Sequence, residues 1–170
     1  AQGILFVPDR LAAPGPGWPT AAALDTARQL VSAAGGRALV LMASWRGVEV
    51  MSEALAGLVE GPLIVQRKGE STAGLIRAFA QDPASVLVGT LGLWQGVDVP
   101  GDACTLVIID KLPFPPPTDP VVSARQAAID AGGGSGWMQV SLPQAAVTLA
   151  QGAGRLIRTD ADRGVVAILD

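Results

Sequence analysis

The sequence predicts an α/β protein: a mainly parallel sheet with helices on both faces. Three observations carry that expectation. Six short aliphatic runs recur along the 170 residues, each nearly continuous instead of alternating, as strands covered on both faces require. Longer stretches of helical period separate them, and such alternation implies parallel strands joined by right-handed crossovers. Apolar residues make up 49% of the chain and charged residues only 16%, enough for one full core in a single domain spanning 1–170.

The elements follow in order. "ILFV" (4–7) is the first strand, and "AAPGPGWP" (12–19) reads as a stiff surface connection. The helix "TAAALDTARQLVSAAGG" opens behind Pro19-Thr20 and closes on Gly35-Gly36, with start and stop signals in place. Strands then fall on "ALVLMAS" (38–44), "PLIVQ" (62–66), "SVLVGT" (85–90), "TLVIID" (105–110) and "GVVAIL" (164–169). Helical period fits 46–58, 72–81, 119–130 and 143–155, and "DAGGGSGW" (130–137) reads as a flexible loop. No internal repeat is visible. In a sheet of this kind, ligands meet the loops at the carboxyl ends of the strands.

Composition closes several routes to function. The net charge is -3 and the basic residues are scattered, so no overall positive field marks a nucleic-acid binder. One cysteine, Cys104, and no histidine exclude an internal disulfide, a Cys/His zinc site, iron-sulfur ligation within the chain and any imidazole-based triad. No apolar run approaches a membrane span and no secretory leader is present; a cytoplasmic location, with no membrane partner, is the expectation.

The stretch "QGAGRLIR" (151–158) places charges in a small-residue, apolar segment. On a helix, Gln151, Arg155 and Arg158 fall at i, i+4 and i+7 and project from one face. Gly152 and Gly154 lower helical propensity there, which suggests close approach of another backbone or a ligand. Two readings fit the spacing. One is a solvated helix end whose arginines favour the C-terminal dipole; the other is an anion clamp, since guanidinium stays charged and offers phosphate a planar fork. Spacing alone does not choose between them.

A second long segment does. "VLVGTLGLWQGVDVPGDACTLVIIDKLPFPPPTDP" (86–120), taken with "LPQAAVTLAQGAGRLIRTDADRGVVAILD" (142–170), closely resembles the second RecA-like motor domain of DinG-type helicases, the XPD-like branch of superfamily 2. The resemblance covers almost the whole chain, because "GGRALVLMASWRGVEV" (35–50) is similar to the segment that opens that domain's core. It implies a three-layer RecA-like fold. It also implies roles: Gln151, Gly154, Arg155 and Arg158 match the Gln-x-x-Gly-Arg-x-x-Arg element whose arginines reach the ATP phosphates, with Arg158 as the arginine finger and Arg155 as its phosphate-binding companion. "QGVD" (95–98) matches the motif in which Gly96 permits close approach and Asp98 is placed to bond a ribose hydroxyl or the neighbouring arginine. Relatives often carry glutamate where this chain has Gln95.

The same resemblance implies a single-stranded DNA track. Ser44, Trp45 and Arg46 follow one of the contacting strands, Thr90 and Trp94 follow another, and Arg67-Lys68 adds a local positive patch. The chemistry fits, since hydroxyls and backbone amides hold phosphates without reading bases while indoles stack on unpaired ones. The plainer reading, with Trp45 and Trp94 as packing anchors and Arg67-Lys68 as a solvated loop, fits the residues equally well.

What the chain lacks completes the expectation. No G-x-x-x-x-G-K-[ST] phosphate loop occurs, and Lys111 follows Asp110 where an Asp-Glu pair would place its glutamate; Asp110 therefore reads as a strand-end residue. The resemblance implies that ATP and Mg2+ are shared with a first motor domain upstream, together with a cysteine-rich insertion holding an iron-sulfur cluster. This chain carries no metal site of its own and is expected to be inactive alone. The reading is thus a C-terminal motor domain cut from a larger 5′-to-3′ DNA helicase acting on single-stranded or forked DNA. The alternative is a non-catalytic α/β nucleotide-sensing or protein-interaction module.

Overall fold

The computed structural model describes residues 2–95, 104–156 and 162–170, with Trp94, Gln95 and Arg155 described by backbone alone. Six strands form one sheet: β1 (Gly3–Phe6), β2 (Ala38–Met42), β3 (Leu63–Val65), β4 (Val86–Thr90), β5 (Leu106–Ile109) and β6 (Gly164–Ile168). Their spatial order is β1-β6-β5-β2-β4-β3, and every neighbouring pair is parallel. The helices are α1 (Ala21–Ala34), α2 (Trp45–Leu55), α3 (Thr72–Gln81), α4 (Pro120–Ala131) and α5 (Leu142–Leu156). This is the α/β RecA-like fold expected; β2 to β6 lie inside their anticipated aliphatic runs, and β1 begins one residue before its run, at Gly3. Among the described residues no helix is long and apolar enough to cross a membrane.

The chain divides into two compact units, Ala1–Lys111 with Ala153–Asp170, and Leu112–Gly152. The first holds the sheet. Its connections β1 to β2 and β2 to β3 run one way across the sheet and β3 to β4 runs back, so right-handed crossovers put α1 and α2 on one face and α3 on the other. Packing agrees. Ala23, Ala27 and Val31 of α1 and Val48, Met51 and Leu55 of α2 join the alternate strand residues Ala38, Val40, Met42, Val86, Val88, Leu106 and Ile108 in one buried cluster. The intervening residues Leu39, Leu41, Leu87, Val107 and Ile109 are buried on the opposite face. There Phe79 of α3 is fully buried, and its carbonyl accepts a hydrogen bond from the buried Ser85 hydroxyl at 2.8 Å. Burial on both faces explains why these runs are continuous and not alternating.

Local chemistry sets the helix ends. Thr20 caps α1 through its hydroxyl, which accepts from Ala23 N–H at 3.3 Å. At the other end Gly35, Gly36 and Arg37 all have positive φ, at 64°, 86° and 50°, and the Gly35 and Gly36 amides donate to Ser32 and Val31 carbonyls. Three left-handed residues in a row turn the chain straight into β2. Helix α2 stops at Leu55, earlier than the periodicity to 58 suggests, because Ala56 turns extended (ψ 128°) and Gly57 adopts φ 69°.

Two surface segments differ from their expectation. The 12–19 connection is mostly exposed, but Leu11 and Trp18 pack against the buried cluster, so the segment is anchored to the core. The 130–137 loop is tied down: the Asp130 carboxylate accepts from Gly136 N–H at 2.7 Å, and a Cβ on Gly136 would press against Gln126. That loop belongs to the second unit, where α4 is capped by Asp119 with Pro120 in its first turn and Gln126 donates to the Ser141 hydroxyl at 2.6 Å. A π-helical turn over Trp137–Ser141 leads into α5, with Trp137 against Phe114 at 5.7 Å between ring centroids.

The two glycines after α1 should respond differently to alanine. At Gly35 a Cβ meets nothing, so only the left-handed backbone is penalised, by about 1 kcal/mol. At Gly36 the Cβ would overlap the Ala84 carbonyl, and Gly36→Ala should cost more than about 3 kcal/mol. Urea unfolding of both variants checks this; equal losses would contradict it.

Candidate functional site

Parallel register brings the carboxyl ends of four strands level. Met42 of β2 pairs with Thr90 of β4, Leu41 with Ile109 of β5, and Val65 of β3 with Val88. One residue further on, Asp110, Ala43-Ser44 and Gln66-Arg67 therefore emerge beside Thr90 along one edge of the sheet. Most of the anticipated DNA-facing residues lie here.

Ser44 ends β2's connection and begins α2. Its backbone is extended, and its hydroxyl accepts from Gly47 N–H at 3.0 Å, capping the helix. The residue is exposed, so the hydroxyl proton remains available to an outside acceptor. Trp45 is half-buried and Arg46 exposed in the first turn of α2. The Lys68 ammonium stands 5.9 Å from the Trp45 ring centroid, within cation-π range. The structure thus brings together Trp45 at the start of α2 and Lys68 in the turn after β3. Arg67 and Lys68 are exposed in a tight turn: Gly69 has φ 85°, and the Glu70 carboxylate accepts from Arg67 N–H at 2.9 Å. The positive patch is consequently held in shape with an acidic residue within it.

Thr90 is tied to β3's end. Gln66 Oε1 accepts from both the Thr90 N–H, at 2.8 Å, and the Thr90 hydroxyl, at 3.1 Å. Sequence reading took Gln66 only as the last residue of a strand; its signal was a polar amide closing an aliphatic run. Trp94 follows in a 3-10 turn, Leu91–Gln95.

Asp110 follows β5, as expected of a strand-end residue, but its role is larger. Its amide donates to the Leu41 carbonyl at 3.0 Å, and its carboxylate then takes the next rung, accepting from Ala43 N–H at 2.8 Å. The residue is 1% exposed. Burial raises its pKa from 3.8 to about 6, opposed by the Ala43 hydrogen bond, the Lys111 charge and amide, and the nearby Trp18 indole. The Trp18 Nε1 is buried without a partner at full hydrogen-bond geometry, so its contribution is the weakest. Asp110 therefore fixes the turn from which Ser44 and Trp45 project.

The nucleotide-facing residues are placed only in part. Gln151 is exposed and Gly152 buried in the last two turns of α5, and Gly154 and Arg155 follow in the same helix. Gly96, Asp98 and Arg158 lie outside the described residues. Among the described residues no group of three or more His, Cys, Asp or Glu side chains could hold a metal. Cys104 is buried in the sheet unit, and a single cysteine does not fit a cluster's ligand set.

The helicase C-terminal domain family matches residues 27–170. The chain belongs to this family. It is 48% identical over 170 residues to the ATP-dependent helicase DinG of Mycobacterium tuberculosis, covering 99% of this chain and 26% of that protein. It is 41% identical over 144 residues to the ATP-dependent DNA helicase YoaA of Escherichia coli, covering 84% and 22%. The chain thus spans about a quarter of the length of the curated relatives it matches. Among solved structures, an XPD apo structure superposes with a TM-score of 0.71 at 18% identity, covering 100% of this chain and 36% of that one; at that identity it speaks for the fold alone. The chain is thus a helicase C-terminal domain, similar in sequence to DinG and in fold to XPD.

The Asp110 shift has a signed consequence. A carboxyl whose folded pKa lies above its unfolded value stabilises the fold below about pH 4 and loses that contribution as pH rises through about 6. At pH 7 the loss amounts to roughly 3 kcal/mol. Asp110→Asn keeps an acceptor for Ala43 and removes the charge, so the variant's stability should fall less than wild type's between pH 4 and 7. Parallel stability curves for both proteins measure it; identical pH slopes would refute the assignment.

Proposed function

We propose that this domain is the second motor domain of an ATP-dependent DNA helicase moving 5′ to 3′, contributing half of a split ATP site and part of a single-stranded DNA track. The observation that supports the reading is the Gln151, Gly154, Arg155, Arg158 sequence motif, whose first three residues lie in α5, in a member of the helicase C-terminal family. Phosphoryl transfer spreads negative charge over the γ-phosphoryl oxygens, and an arginine placed there contributes about 10³ to 10⁵ in rate. Arg158 is assigned as that finger, Arg155 as its phosphate-binding companion and Gln151 as a polar neighbour. Gly96 and Asp98 contact the nucleotide. The phosphate loop, the Mg2+ ligands and any iron-sulfur cluster belong to the first motor domain and its insertion, the intramolecular partner of this domain. The protein works in the cytoplasm.

Ser44, Trp45, Arg46, Arg67, Lys68, Thr90 and Trp94 form the DNA-facing edge. A strand laid along the carboxyl ends of β2, β4 and β3 meets a free hydroxyl at Ser44, an indole at Trp45 and exposed cations at Arg46, Arg67 and Lys68. Those groups suit sequence-independent backbone contact with base stacking. This gives an acidic domain a local grip on DNA without a basic surface.

Two experiments test the reading. The 170-residue chain by itself should hydrolyse ATP no faster than buffer and bind it weakly; turnover, or micromolar affinity by calorimetry, would sink the split-site account. In the full-length parent, Arg158→Ala should lower kcat of DNA-stimulated hydrolysis by roughly two to five orders of magnitude with DNA affinity nearly unchanged. Arg158→Lys should rescue little, because an ammonium loses the planar fork. A wild-type kcat in a folded Arg158→Ala protein would overturn the assignment.

A further inference from the structure

At the carboxyl end of β4, two convergent donors are already satisfied from inside the chain. The Thr90 backbone N–H and the Thr90 hydroxyl both donate to one atom, Gln66 Oε1, at 2.8 and 3.1 Å. A backbone N–H only donates, so this contact fixes which end of the Gln66 amide faces Thr90: the oxygen. Room for that oxygen comes from Gly89, where a Cβ would stand 2.8 Å from Oε1 and overlap the Leu93 side chain. Gln66 and Thr90 are both half-buried, neither sealed in the core. The Thr90 hydroxyl has one proton, and while Gln66 holds it Thr90 cannot donate to anything else.

We propose that Gln66 is a placeholder for a phosphate oxygen of single-stranded DNA. Its carbonyl oxygen holds the two Thr90 donors in the DNA-free state, and a backbone phosphate displaces it as the strand enters. A main-chain amide and an adjacent hydroxyl aimed at one point are the means by which proteins hold phosphate without reading bases. The exchange favours the strand because hydrogen bonds to an ionised oxygen are about twice as strong as neutral ones. Arg67 and Lys68, next in sequence to Gln66 and exposed, draw the phosphate to this point, while Glu70 is engaged by the Arg67 amide. Pre-aligned donors are thereby retained at the cost of some affinity. This inference rests on the DNA-track reading above.

The test is the affinity of the full-length parent for an oligothymidylate, by fluorescence anisotropy at fixed salt. Gln66→Met keeps the volume beside Gly89 but removes the strong acceptor, and should tighten binding about two- to tenfold, the worth of a neutral hydrogen bond. Gln66→Ala empties the same acceptor and should act in the same direction, which keeps the test open if the methionine variant does not fold. Gln66→Glu should weaken binding by at least as much, because a carboxylate grips the donors and repels phosphate. In a Thr90→Val background the gain from Gln66→Met should shrink, since only the backbone donor is left to free. Unchanged or weaker binding by Gln66→Met and Gln66→Ala would overturn the placeholder while leaving the DNA track intact. A wild-type parent that failed to bind the oligonucleotide would overturn both.

Discussion

Every strand of this sheet runs in the same direction, and the rest of the molecule follows from that constraint. Parallel strands in register end together, so residues far apart in sequence are delivered to one edge. The edge is then locked by side chains that continue the ladder where the backbone stops. Asp110 takes the rung after β5 by accepting from Ala43, and Gln66 takes the rung after β3 by accepting from Thr90. Both acceptors sit beside residues assigned above to the proposed DNA-facing edge: Asp110 fixes the turn carrying Ser44 and Trp45, and Gln66 aligns Thr90. Burying a carboxylate to do this raises its pKa to about 6.

The elements were legible in the sequence because burial on two faces writes continuous aliphatic runs, and because caps use a small vocabulary. Thr20 before α1, Gly35-Gly36 after it and Asp119-Pro120 before α4 each do in the structure what their chemistry suggests. The early stop of α2 was also encoded, in Gly57, but a periodicity reading runs past a single glycine. The ordering of the 130–137 loop was not legible. Its glycines imply freedom, while the hydrogen bond from Gly136 to Asp130 that removes it depends on the path the loop takes.

The site was legible in its residues but not in its couplings. Ser44, Trp45, Lys68 and Thr90 could be singled out, yet nothing local pairs Lys68 with Trp45, Gln66 with Thr90 or Asp110 with Ala43. Those pairings exist only once the strand order β5-β2-β4-β3 and its register are known. Family membership, by contrast, was carried by residues close together in the chain, in the Gln151 to Arg158 element and in 86–120. The distinction is physical: a short motif is built from residues close together in the chain, whereas a surface along a sheet edge is assembled from many strands.

The central claim is that the carboxyl edge of the sheet carries the nucleic-acid strand. Photo-crosslinking the full-length parent to single-stranded DNA containing 5-iodouracil, followed by mass spectrometry of the labelled peptides, tests it most directly. The account predicts labelling at Trp45 and in the peptides that contain Lys68 and Thr90. Labelling confined to the opposite edge, at Gln2, Thr105 or Gly164, would contradict it.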